Sequence, residues 1–108
     1  ERVRALVPRN PKVRLVVEGG INRPGYDKSP DIAALFEHAK GLAAEIGFDL
    51  VDLKTGGGSD GNYTAAYAPT LDGLGVDGDG GHTLDERLYI SSIVPRTLLL
   101  MRLMETLK

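Results

Sequence analysis

A chain of 108 residues with 42% apolar content has the size of one ordinary domain and enough apolar material for one core. Its 13 lysines and arginines against 15 aspartates and glutamates leave a formal charge of −2, with both signs spread along the chain, which disfavours nucleic acid as a partner. The lack of cysteine excludes disulfides and thiolate metal ligands, and no run is long or apolar enough for a membrane span or a signal segment. We read the chain as soluble. It starts at Glu1 directly in alternating apolar and charged positions, which reads as a piece of something longer.

In chain order, Val13, Leu15 and Val17 alternate with Lys12, Arg14 and Val16 before Gly19 and Gly20, the pattern of a half-buried strand. INRPGYDKSP, residues 21–30, reads as loop. Ser29, Pro30 and Asp31 supply an N-cap, an N1 proline and an acidic first turn. Ile32, Leu35, Phe36, Ala39 and Leu42 follow at helical spacing until Gly47 stops the helix. Phe48 to Leu53 is expected as a short strand, Asp60 to Tyr67 as a helix of about two turns, and PTLDGL, residues 69–74, as another strand. Residues 72–86, rich in glycine and acid without an apolar period, form a loop. A closing helix is expected from Ser92 to Leu107, with Ser91 or Ser92 as cap and Pro95 in its first turn. Its buried face would hold Val94, Leu98, Met101 and Leu103 or Met104. This alternation of strand and helix predicts an α/β layered fold.

Within DLVDLKTGGGSDGNYTAA, residues 49–66, Gly56, Gly58 and Gly61 satisfy G-x-G-x-x-G, and Gly56 and Gly61 have the outer spacing of a P-loop. Asn62 and Tyr63 stand where Lys and Ser/Thr would grip phosphate, so nucleotide binding fails on its chemistry. The acidic loop fails as an EF-hand. Counted from Asp77, His82 and Leu88 fall where that loop needs glycine and glutamate. His82, presented by glycines with Asp85 and Glu86 close behind, lies where open α/β sheets gather ligand groups; an ordinary loop histidine is the competing reading. His38 is mid-helix and expected in solvent, so the two histidines do not make a zinc site. Arg23, held extended by Pro24, carries the fork that clamps a carboxylate, or is a surface arginine. Asp72 and Asp85 lack the spacing and apolar pocket of an acid–base pair.

Taken together and in order, TGGGSDGNYTA (55–65), PTLDGLGVDGDGGHTLDERLYI (69–90) and SSIVPRTLLLMRLM (91–104) resemble the C-terminal part of the zinc-dependent carboxypeptidase and deacylase metallopeptidase family. That family includes glutamate carboxypeptidase, acetylornithine deacetylase and succinyl-diaminopimelate desuccinylase. The resemblance implies a three-layer α/β/α catalytic domain with two bridged metal ions, zinc with cobalt as a substitute, and an inserted lid domain that mediates dimers. Residues 1–23 would be the tail of the lid, ending in its last strand, and residues 24–108 the last part of the catalytic domain. His82 matches the last metal ligand, in G-x-H-T/S-x-D-E. Arg23 matches the arginine that leaves the lid and binds the substrate carboxylate, and Gly58 and Ser59 match the turn lining that pocket.

The activity so implied is metal-assisted hydrolysis of a peptide or N-acyl amide next to a free carboxylate, with two zinc ions about 3.5–4 Å apart generating hydroxide. The catalytic glutamate and remaining ligands would lie upstream. No catalytic residue is expected in this chain, which alone should be inactive and bind no zinc tightly. Through GLG (73–75) and SIVPR (92–96) the look is closest to glutamate carboxypeptidase, while SDGN (59–62) leans towards the SDGR of desuccinylases and deacetylases, with Asn62 where they carry arginine. A deacylase of that kind, or a non-catalytic carboxylate-binding or regulatory module on the same scaffold, is the competing function. Implied partners are a peptide or N-acyl amino acid, the remainder of the catalytic domain and a second subunit through the lid, with no nucleic acid and no membrane. The expected compartment is the cytoplasm, with secretion left open because the start of the protein is not in the sequence.

Overall fold

The computed structural model describes residues 2–107. Its elements are α1 (Pro30–Ile46), α2 (Gly61–Thr64), β1 (Gly78–Asp79), β2 (Arg87–Leu88) and α3 (Ile90–Thr106). α1 begins where the Ser29 hydroxyl accepts the Ile32 amide at 3.2 Å, with Pro30 in the first helical position. It ends at Gly47, whose φ of 105° lets its N–H turn back to the Ala43 and Ala44 carbonyls. The cap, the proline and the left-handed glycine satisfy the end groups that a helix cannot satisfy itself. Both ends fall where the sequence puts them.

α3 starts two residues earlier than expected, because Tyr89 takes the N-cap position with no side-chain bond. Ser92 is therefore inside the first turn, where its hydroxyl donates to the Tyr89 carbonyl at 2.7 Å. Pro95 falls in the second turn rather than the first, and its missing N–H leaves the Ser91 carbonyl without a helical partner.

The core lies between the two helices. Phe36, Ala39, Leu42 and Ala43 of α1 meet Leu99 and Leu103 of α3, and Leu50 joins them. Ala39, Ala43 and Leu99 are fully buried, and the two alanines let the backbones approach closely. The expected buried face of α3 needs correction. Ser92, Leu99 and Leu103 point inward, whereas Val94, Leu98 and Met101 are 66%, 41% and 46% exposed. α3 is apolar along two stripes, and spacing alone does not choose which one meets α1.

Helices with a small two-stranded antiparallel sheet are compatible with an α/β class. The sheet pairs Gly78 with Leu88 and Asp79 with Arg87, in and beside the stretch read as loop. A β-carbon on Gly78 would sit 2.3 Å from the Arg87 carbonyl oxygen, so only glycine permits this pairing. Residues 13–17, 48–53 and 69–74, read as strands, belong to no ladder. Among the described residues they have no neighbouring edge to bond, and an unpartnered strand leaves its N–H and C=O groups to water. The helix expected over Asp60–Tyr67 shortens to α2 and runs on as turns.

The one core between the helices leaves much of the chain uncovered. Apart from Pro8, residues 2–29 are all exposed. The chain presents 9044 Å² to solvent, against about 5,800 Å² for a folded monomer of this mass. Its radius of gyration is 19.6 Å, where a compact domain of this length has about 13 Å. None of the described helices is long and apolar enough to cross a membrane.

Candidate functional site

The glycine turn and the segment around Arg23, more than thirty residues apart in sequence, lie against each other. Ser59 shapes the turn. Its amide donates to Asn62 Oδ1 at 2.8 Å, and its Oγ accepts the Gly61 amide at 3.0 Å. Asn62 and Tyr63, at the start of α2, reach across. Asn62 Nδ2 donates to the Pro24 carbonyl at 2.8 Å, and the Tyr63 hydroxyl donates to Asn22 Oδ1 at 3.0 Å. These two bonds bracket Arg23 from both sides.

The guanidinium of Arg23 lies 5.2 Å from the centroid of the Tyr63 ring and 3.4 Å from an Asp60 oxygen. Its Cδ would be 3.3 Å from a β-carbon on Gly58, so the missing side chain lets the arginine stem lie along the turn. Arg23 is 39% and Asp60 95% exposed. A pair so open to water is weak and is easily exchanged for another carboxylate. Among the described residues the Gly58 amide makes no hydrogen bond, and the Ser59 hydroxyl proton is likewise uncommitted. One cation thus lies against a turn that carries one N–H and one O–H without partners, donor types that suit a carboxylate.

The structure thus brings together Arg23, Gly58 and Ser59. The signal that Asn62 and Tyr63 hold this corner is absent from any motif, because their chemistry appears only once residues 22–24 arrive. Asp72 also borders the turn, with its Cβ 3.3 Å from the β-carbon position on Gly61.

His82 stands on a separate element, the loop joining β1 to β2. Its φ is 65°, its side chain is exposed, and its amide points to Glu86 Oε2 at 3.4 Å. No hydrogen bond or ion pair links this loop to the Arg23 corner among the described residues. His38 is exposed on α1, where Nε2 meets Thr106 Oγ1 at 2.7 Å and ties the two helices together. Among the described residues no three His, Asp or Glu side chains cluster as a metal site. One loop imidazole does not by itself fit a zinc centre, which takes at least three protein ligands.

Two clefts of about 200 Å³ open elsewhere. One is lined by Phe48, Asp77, Tyr89, Ser92 and Arg96, and the other is apolar, between Leu35, Leu71, Leu74, Leu100 and Met104. Neither contains Arg23 or His82.

A family model described as peptidase family M20/M25/M40 matches residues 13–106. Comparison with curated proteins and with solved structures gave no match.

Proposed function

We propose, starting from the fact that the chain belongs to peptidase family M20/M25/M40, that it is part of a hydrolase that cleaves an amide or peptide bond next to a free carboxylate. The observation that carries this reading is the corner formed by Arg23 and the 58–60 turn. Arg23 takes the substrate carboxylate in a forked ion pair, with the Gly58 N–H and Ser59 O–H donating to its remaining lone pairs. Asp60 holds the guanidinium until substrate displaces it. Tyr63 and Asn62 keep the Arg23 segment against the turn, so the carboxylate fixes where the scissile amide lies. Such orientation is worth several orders of magnitude in rate.

Family members are generally metal-dependent. The described residues do not meet that need alone, as His82 is a single donor. We assign His82 one place in a two-zinc set whose other ligands come from outside this chain, and we derive no step of the reaction through it. The 24–108 segment is then the end of the catalytic domain and 1–23 the tail of a lid. The bare Val94, Leu98 and Met101 stripe of α3 is the face on which the remainder of the catalytic domain rests.

Among members of the family the reading is a glutamate carboxypeptidase-like substrate. What supports it over a deacylase is Asn62, whose amide is spent on Pro24 and Ser59 and offers no second cation to a longer diacid. The full-length protein, assayed on N-acylglutamate, N-acetylornithine and N-succinyl-diaminopimelate, should hydrolyse the first most efficiently. Preference for succinyl-diaminopimelate would assign it to the deacylases instead, and no turnover of any of them would overturn the hydrolase reading.

A further inference from the structure

We propose that Asp77, Ser92 and Arg96 are positioning residues that clasp the foot of the His82 loop to α3, an inference that takes its functional meaning from the assignment of His82 above. Among the described residues His82 is the one non-glycine residue with a positive φ. That backbone is disfavoured for any residue with a β-carbon and persists where the surroundings over-determine it.

Within the loop the surroundings are well made. The Thr83 amide and hydroxyl both donate to the Gly80 carbonyl, at 3.0 and 2.7 Å, and the Asp85 amide donates to Thr83 Oγ1 at 3.2 Å. Gly80 has φ 67° and no room for a β-carbon, which would lie 2.9 Å from the Asp85 carbonyl oxygen. What the loop lacks is support from its own strands. β1 and β2 are two residues each and exposed, and so short a ribbon is not stable by itself. No hydrogen bond runs from residues 78–88 to any described residue outside 77–89.

Anchorage comes through Asp77, which uses all its polar groups. Its amide donates to Ser92 Oγ at 2.9 Å, its carbonyl accepts the Tyr89 amide at 2.8 Å, and its carboxylate accepts from Arg96. Ser92 and Arg96 are one helical turn apart on the inward side of α3. Ser92 is buried, and Arg96 is 15% exposed with its guanidinium stacked 5.3 Å from the Phe48 ring centroid. The helix side of the clasp is therefore fixed to the packed core. Arg96 Nε is buried without a partner, a desolvation cost that an apolar side chain filling the same space would not carry. Ordered loop, insufficient strands and one anchored foot together assign the clasp the task of holding His82 in place.

The test is hydrogen exchange by mass spectrometry on the full-length protein, with peptides covering 78–89, alongside kinetics on an N-acyl amino acid. Ser92→Ala keeps or improves helix propensity, so it should fold. It should speed exchange in 78–89 by about 10-fold, and Asp77→Ala by about 10- to 100-fold, since a charge-assisted bond is lost as well. Ser92→Thr, which keeps the hydroxyl, should restore the parent rate. Arg102→Ala, on the same helix but paired with Glu45, should leave 78–89 unchanged. Turnover should fall with the loosening, mainly in kcat. If Asp77→Ala and Ser92→Ala leave exchange in 78–89 at the parent rate, the clasp is wrong whatever the enzyme does. If exchange rises while kcat holds, the clasp stands as architecture and the role given to His82 fails.

Discussion

The helix pair and the two pieces that carry the candidate residues are held by different means. α1 and α3 bury Phe36, Leu42 and Leu99 against each other, and each carries its own helical pattern. The Arg23 corner and the His82 loop bury almost nothing and are held by single polar contacts from distant residues. The comparison separates where this chain keeps its stability from where the proposed site lies. Apolar packing tolerates many side chains of similar shape, whereas each polar tie depends on one atom in one place.

The largest effect should follow removal of Leu99. Leu99→Ala in the fully buried position should cost about 2–5 kcal/mol in chemical denaturation. Leu98→Ala on the bare stripe of this chain should cost under about 1 kcal/mol. Equal losses would mean that the inward face of α3 has been misassigned. Next comes Gly47→Ala, where a side chain must adopt φ 105°; about 1–2 kcal/mol is expected, with α1 fraying at its C-terminus in hydrogen exchange. Tyr63→Phe removes one exposed hydrogen bond to Asn22 and should change stability by at most about 1 kcal/mol. It should nevertheless raise KM for a carboxylate substrate several-fold in the full-length protein, which is the contrast between the regions in one residue. Smallest is Arg102→Ala. Its pair with Glu45 is 3.0 Å but open to solvent, and the change should be at most about 0.5 kcal/mol and shrink further with added salt.

The same contrast explains what could be read from the sequence. α1 was legible to the residue because Ser29, Pro30 and Gly47 are all local to it. For α3 the existence was legible and the orientation was not, since Val94, Leu98 and Met101 are as apolar as the stripe that packs. Residues 13–17 and 48–53 have strand patterns, but a strand is a relation to a neighbouring edge, and no described residue supplies one. The β1–β2 pair escaped notice because Gly78, Asp79, Arg87 and Leu88 carry no alternation; what makes them pair is the space at Gly78.

For the site, Arg23, Gly58, Ser59 and His82 were singled out through resemblance, and the first three do meet. The residues that tie them were not. Asn62 and Tyr63 looked like failures of a phosphate site, and Asp77 looked like part of a solvated acidic loop. Their partners, Pro24, Asn22, Ser92 and Arg96, lie far along the chain, and no local period records such a contact.

The claim at the centre of this account is that Arg23 reads the free carboxylate of the substrate. It is tested by kcat/KM of the full-length protein and its Arg23→Ala variant on an N-acyl amino acid and on the same compound capped as the carboxamide. The parent should prefer the free acid strongly. In the variant, kcat/KM for the acid should fall by about 100-fold or more while the capped compound changes little, so the preference collapses. A variant that still favours the free acid as strongly as the parent would contradict the assignment.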